Sequence, residues 1–176
     1  MPKKENNINQ IINIRKRTHN EMEEESQKLI NTENKMNNSF IISEINIKEE
    51  DINKEIRIMN SFEEWKRNIN YKNNDDYEYE NEKEIKEKCQ IKINDKIIIF
   101  NYFYKFDKQG KNVIKYIFKD NIIKADFMFC QCKSLNNINI SYFNTQNITN
   151  MKHMFNGCSS LLALYYLILM LKILLI

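Results

Sequence analysis

The sequence predicts an α+β fold in which a small antiparallel β cap leads into the first coils of a solenoid, preceded by a disordered or helical arm. Three observations predict this fold. Residues 1–38 are polar, rich in asparagine and poor in aromatic residues. Between residues 39 and 124, β-branched and aromatic residues alternate with polar ones. From residue 125 to residue 176 the chain repeats itself with a period of 26 residues.

The N-terminal arm, residues 1–38, has no feature of a secretion signal. Its first 26 residues, MPKKENNINQIINIRKRTHNEMEEES, contain no continuous apolar stretch and no small-residue cleavage site. We therefore expect an intracellular protein. In that setting the four cysteines are expected to be free thiols: Cys89, Cys130, Cys132 and Cys158.

The first half of the β region, residues 39–124, carries two short apolar runs. Phe40–Ile47 and Lys54–Met59 are rich in β-branched residues, which predicts strands. Ser61 and Glu64 have the spacing of a capping box, which predicts a short helix through Trp65. The following stretch, residues 73–88, is almost wholly charged or amide-bearing and predicts a solvated loop.

The second half of this region gives the clearest strand signal. Residues 89–93 alternate between apolar and polar, and the pair at 94–95 supplies a turn into a longer strand predicted at Ile97–Phe106. After a turn at Gly110, residues 114–118 predict a third strand. The aromatic residues between 100 and 106 are assigned to the core, because no basic groove accompanies them.

Self-comparison gives the strongest signal in the chain. Residues 125–150 align without a gap on residues 151–176. A unit this short cannot bury its own apolar residues, so equivalent residues are expected to stack on each other. The predicted structural ladder consists of Met128, Phe129, Cys132, Leu135, Met154, Phe155, Cys158 and Leu161, and a short strand is predicted at Leu135, Ile138 and Ile140.

These residues carry a family resemblance. The segment MFCQCKSLNNINISYFNTQNITNMKHMFNGCSSL resembles the BspA-like leucine-rich repeat, a 26-residue surface-protein repeat of the form MF, two residues, C-x-SL, a strand, and S-x-FNT-x-N-[VI]-TNM. The resemblance covers residues 125–164, with Cys130 departing from the usual Tyr or Asn. It implies a leucine-rich-repeat solenoid capped by residues 39–124, which binds other macromolecules through a repeated surface.

The apolar tail, residues 161–176, holds eight of the ten leucines in the chain. It could be a membrane anchor, since sixteen helical residues span ~24 Å of a ~30 Å hydrocarbon core, or it could complete the repeat core. A third reading is translation out of frame. Codons for Tyr166–Ile176 can be chosen that, read two bases later, give SNFNAQNITN, which agrees with Ser141–Asn150 at eight of ten positions. The third reading predicts a truncated or frameshifted member of the repeat family.

The predicted function is non-catalytic protein–protein interaction, with a tail-anchored membrane protein as the alternative. Gly110 and Gly157 are the only glycines, which excludes a glycine-rich nucleotide loop. Neither His19 nor His153 can be paired with a nucleophile from the sequence. We therefore expect no enzyme and no cofactor.

The expected partner is an unidentified protein. A net charge of +3 argues against nucleic acid, while the apolar tail leaves membrane binding and self-association open. The C-x-C start at Cys130 and Cys132, with distant His153 and Cys158, is not a usual zinc spacing, so no metal is expected. Candidate contact residues are the polar positions Asn139, Asn144 and Asn147.

Overall fold

Two sheets and two short helices make up the part of the protein that the structure describes. The computed structural model describes residues 39–72 and 77–165, which belong to the second of two units, Ser39–Ile176, into which the chain divides. The strands are β1 (Ser39–Ile47), β2 (Glu55–Arg57), β3 (Cys89–Ile93), β4 (Lys96–Ile98), β5 (Phe103–Lys105), β6 (Gly110–Phe118), β7 (Leu135–Asn139) and β8 (Ala163–Tyr165). The helices are α1 (Phe62–Ile69) and α2 (Glu82–Lys88), with 3-10 turns at Glu49–Asp51 and Tyr77–Tyr79.

The larger sheet has six strands in the order β4-β3-β6-β1-β7-β8. Its centre is the antiparallel pair of β1 and β6, in register from Ser39 opposite Phe118 to Ile47 opposite Gly110. One face is buried at every second residue, with Ile41 and Tyr116 opposite each other and fully buried. The strands predicted at 40–47, 89–93 and 114–118 are confirmed, because the alternation in the sequence reports this one-sided burial.

The chain between β4 and β5 crosses from one sheet to the other, so the prediction of a single strand at Ile97–Phe106 is wrong. β4 pairs with β3 in the large sheet, whereas β5 pairs with β2 in a separate two-stranded sheet. Tyr102 lies between them with its ring buried, and its hydroxyl hydrogen-bonds Ser61 Oγ (2.9 Å) and Glu82 Oε1 (3.1 Å). The strand is thus interrupted at a residue whose contacts are distant in sequence, and such contacts leave no mark on local periodicity.

Helix α1 begins where the capping box predicts, because Ser61 Oγ accepts a hydrogen bond from the Glu64 N–H at 3.2 Å. The prediction of a solvated loop at 73–88 is wrong for residues 82–88, which form α2. The Glu63 carboxylate accepts from the N–H of Glu82 at 3.0 Å, and Arg67 binds the Glu82 carboxylate with contacts of 2.7 and 3.0 Å. Acidic residues thus cap and join the two helices.

Two stretches near the C-terminus, residues 124–139 and residues 150–165, lie side by side in parallel; we call them the first and second segments. Asn137 of β7 pairs with Ala163 of β8, and Lys124 pairs with Asn150 in an isolated bridge. Both pairs are separated by 26 residues. The other side of β7 pairs antiparallel with β1, which makes the first segment a continuation of the large sheet.

The prediction of a leucine-rich-repeat solenoid is wrong. The described residues form a mixed sheet in which four of six strands come from residues 39–118, and the strand of the first segment is bound antiparallel to one of them. A solenoid needs ~3 or more stacked units to bury a continuous core. The described residues contain two such segments. On the side away from the second segment, the first pairs with β1 of the larger sheet.

The prediction of a transmembrane tail is also wrong as far as the structure describes that tail. Over residues 39–72 and 77–165, no helix has the length and apolar character needed to cross a bilayer. Ala163–Tyr165, near the start of the predicted anchor, is strand β8. Residues 166–176, on which the out-of-frame reading depends, and the predicted arm at residues 1–38 lie outside the described residues.

Candidate interaction edge

The first and second segments are joined by backbone hydrogen bonds that run in one direction. Every second N–H group at the start of the first segment donates to a carbonyl of the second. The donors and acceptors are Ala125 to Asn150 (2.9 Å), Phe127 to Lys152 (3.1 Å), Phe129 to Met154 (2.9 Å) and Gln131 to Asn156 (2.7 Å). The first segment is therefore the donor of this ladder, and the second is its acceptor.

The polarity of the ladder comes from turns in which φ is positive at every fourth residue. Phe127 and Gln131 have φ of 56° and 59°, and the equivalent His153 and Gly157 have φ of 57° and 75°. The intervening N–H groups turn back within their own segment, as Met128 does to the Ala125 carbonyl at 3.3 Å. Each segment thus presents a row of N–H groups on one side and a row of carbonyl groups on the other.

Two buried asparagines close the carbonyl row of the first segment. Asn81 Nδ2 donates to the carbonyls of Lys124 (3.4 Å) and Asp126 (2.6 Å). Asn60 donates its backbone N–H to the Met128 carbonyl and its Nδ2 to the Cys130 carbonyl, both at 2.8 Å. The exposed fractions of Asn60 and Asn81 are 1% and 2%. These two residues therefore replace the N–H row that a preceding segment would supply.

The second segment carries an equivalent row of N–H groups on the side that faces away from the first segment. Among the described residues, the backbone N–H groups of Met151, His153, Phe155 and Gly157 have no hydrogen-bond partner. They are the equivalents, 26 residues later, of the four donors in the ladder. We call this row, together with the apolar residues beside it, the open edge.

The apolar residues beside the open edge are incompletely covered. Phe129, Cys132 and Leu135 of the first segment are each 0% exposed, whereas Phe155, Cys158 and Leu161 of the second segment are half-buried and pack on the core from its end. Phe155 stacks on Phe129 with ring centroids 5.8 Å apart and planes at 5°. Leu162, immediately before β8, is 82% exposed. The hydrophobic core therefore reaches the surface at the open edge.

The predicted ladder residues thus occupy equivalent positions in the two segments. Met128 and Met154 are both buried, and Cys158 Sγ donates to the Phe129 carbonyl at 3.0 Å. Burial raises the pKa of Cys158 to about 11. Because the thiolate is the reactive form of cysteine, this group acts at neutral pH as a small apolar side chain.

The predicted contact residues Asn139, Asn144 and Asn147 are not part of the N–H row. The Asn144 side chain is used internally, since its Nδ2 donates to Asn121 Oδ1 at 3.1 Å and its Oδ1 accepts from the Gln146 N–H at 3.0 Å. Asn139 Oδ1 accepts from the Ser141 N–H at 2.9 Å. Asn147 is exposed. A role of these three residues in binding stays a prediction.

One carboxyl group in this region has no hydrogen-bond partner among the described residues. Asp126 is fully buried, and neither side-chain oxygen makes a hydrogen bond within the described residues. Burial raises the pKa of Asp126 to about 6, against the opposing effects of nearby backbone N–H groups and of the charges on Lys124 and Lys152. In the same described ranges, no three His, Cys, Asp or Glu side chains are grouped to hold a metal ion.

Asn60 and Asn81 are the residues of the candidate site that the sequence did not indicate. The chain contains 28 asparagines, so two further ones carry no distinguishing signal. They are 21 residues apart in the chain and are brought to one carbonyl row by α1 and α2. No local pattern could have indicated that arrangement.

Residues 99–163, which include both rows of the ladder, match a family model described as "Mycoplasma protein of unknown function, DUF285". The match covers less than half of the chain and leaves out Asn60 and Asn81. The chain matches no curated protein and no solved structure. The assignment to the BspA-like leucine-rich-repeat family is therefore wrong, because the family model that matches this stretch is a different one, and its description gives no function.

Proposed function

We propose that this protein binds another polypeptide at the open edge and acts without catalysis. The observation that supports the proposal is the row of N–H groups at Met151, His153, Phe155 and Gly157, which have no partner among the described residues and lie next to apolar side chains that are only half-buried. Unpaired backbone groups at the edge of a sheet are a ready template for pairing with another chain. Addition of a peptide to such an edge is a common mode of recognition.

The energetics favour a peptide over a small ligand. Each backbone hydrogen bond contributes roughly 0.5–1.5 kcal/mol net, so a chain that offers four carbonyls in register gains several kcal/mol. Covering Phe155 and Leu161 adds about 25 cal/mol for each Å² of apolar surface removed from water. A small molecule cannot reach all four donors and the apolar residues together.

Met151 offers a clean way to test the N–H row. Its N–H makes no hydrogen bond within the described residues, and its φ is not in the positive range. Met151→Pro therefore removes one donor without breaking an internal bond. Met151→Ala removes the same side chain and keeps the donor, which makes it the matched control.

The experiment is selection of a displayed library of random peptides against the wild-type protein, followed by affinity measurements on the variants. We expect selected peptides to bind wild type and Met151→Ala similarly and to bind Met151→Pro about tenfold more weakly, the loss expected for one good hydrogen bond. Ile99→Asp is the distant control, since Ile99 is 93% exposed beside β4 at the opposite end of the sheet.

The proposal is overturned if no peptide is enriched, or if enriched peptides bind Met151→Pro as tightly as Met151→Ala. It is equally overturned if Ile99→Asp, and not Met151→Pro, abolishes binding. Amide hydrogen exchange gives an independent readout. In the complex, the amide protons of His153, Phe155 and Gly157 are expected to become protected.

A further inference from the structure

We infer that the partner supplies a segment with the residue spacing of the second segment, M-x-x-M-F-x-x-C-x-x-L, and that this segment comes from a polypeptide other than a second folded copy of this chain. The inference rests on the proposed function of the open edge and names the class of partner. Three observations carry it: the existing contact between the two segments, the occupancy of the carbonyl rows, and the polarity of the open edge.

The contact between the first and second segments is a template for what the open edge accepts. The first segment presents N–H groups at Ala125, Phe127, Phe129 and Gln131, and the chain that satisfies them has carbonyls at alternate residues and a Phe that stacks on Phe129. The open edge presents the four equivalent donors, and φ is positive at the second and fourth of them, as it is in the first segment. A segment that places Phe on Phe155 and Leu on Leu161 would therefore meet both the donors and the apolar residues.

Within the described residues, neither of the two segments of a second folded copy has a free carbonyl row to offer. The row of the first segment, Lys124 to Cys130, is closed by Asn60 and Asn81, which are almost completely buried. The row of the second segment is occupied by the donors of the first. Either row would have to be broken open before another copy could bind through it.

Two copies also cannot pair through their open edges by the same hydrogen bonds. Such a dimer would place one row of N–H donors against another row of N–H donors, with no acceptor between them. Leaving buried donors unpaired costs about 1–3 kcal/mol each. Because Asn60 and Asn81 close the carbonyl row of the first segment, another segment can be added only at the open edge. This chain would therefore form one end of such an assembly.

The test uses a synthetic peptide with the sequence of residues 145–165, which contains the required spacing. Binding to the full chain is measured by fluorescence anisotropy and calorimetry. A peptide of the reversed sequence, with identical composition, is the control for non-specific apolar binding. The oligomeric state of the protein alone is measured by sedimentation over the same concentration range.

We expect one peptide to bind per chain, at least tenfold more tightly than the reversed peptide, and about tenfold more weakly to Met151→Pro than to Met151→Ala. We expect the protein alone to sediment as a monomer where the peptide saturates it. If library peptides bind the open edge but the patterned peptide binds no better than its reverse, this inference fails while the proposed function stands. Self-association that the peptide displaces, and that Met151→Pro weakens, would also overturn the inference, since the partner would then be a second copy.

Discussion

The buried carboxyl of Asp126 predicts an unusual response of stability to pH. Its pKa is about 6 in the folded protein, against an ordinary value of 3.8. The folded state therefore holds this proton more tightly than the unfolded state, so the contribution of Asp126 to stability is greatest below about pH 4 and is lost as the pH rises through 6. At about 1.4 kcal/mol for each pH unit between the two values, the loss is roughly 3 kcal/mol, an upper limit because entry of water would reduce it.

Asp126→Asn removes the ionisable group and keeps a side chain of similar shape. We expect this variant to be more stable than wild type by about 2–3 kcal/mol at pH 7.5 and by less than about 0.5 kcal/mol at pH 4. The assay is urea unfolding followed by circular dichroism across this range at constant ionic strength. The readout is the difference between variant and wild type, because other carboxyls titrate in both.

The matched control is Asp107→Asn, which neutralises an exposed aspartate of the same chain and is expected to leave the unfolding free energy unchanged within about 0.5 kcal/mol. A stabilisation by Asp126→Asn that is the same at every pH would refute the reasoning. So would a destabilisation at pH 7.5, because it would mean that the ionised carboxylate makes a favourable interaction in the folded protein.

Three further predictions follow from the contacts of single residues. The Arg67 guanidinium holds the pKa of Glu82 at about 2. The stability that Glu82 contributes is therefore present above its ordinary pKa and is lost as the pH falls from about 4.5 to 2. Glu82→Gln should flatten the dependence of the urea unfolding free energy on pH in this range. Tyr116 donates its hydroxyl to the Ile58 carbonyl at 2.6 Å in the core, and Tyr116→Phe should lower the urea unfolding free energy by about 1–3 kcal/mol because the carbonyl is left unpaired. Gly157 has φ of 75°, and an added Cβ would lie 3.3 Å from a neighbouring side-chain carbon. Gly157→Ala should therefore lower the free energy of unfolding by about 1–2 kcal/mol and lower the thermal midpoint. An unchanged midpoint would contradict the assigned backbone conformation.

Sequence patterns were sufficient where the physical cause is local. The alternation of apolar and polar residues predicts the strand at Ser39–Ile47, and the spacing of Ser61 and Glu64 predicts the start of α1. Failures came where a distant contact decides the local state. Residues 82–88 look like a solvated acidic loop, but Glu63 and Arg67 from another helix bind Glu82 and make the segment helical.

What the sequence by itself determined is that residues 125–165 contain two equivalent segments, because the side chains that must stack recur every 26 residues. Only the tertiary structure shows where that stacking begins and which backbone groups at its two ends have hydrogen-bond partners. β7 joins β1, and Asn60 and Asn81 close one row of carbonyls, so the described residues form a mixed sheet in which the two segments are closed on one side and open on the other. The physical reason is that main-chain hydrogen bonding depends on which backbone groups already have partners. That is a property of residues distant in sequence, and no repeat pattern encodes it.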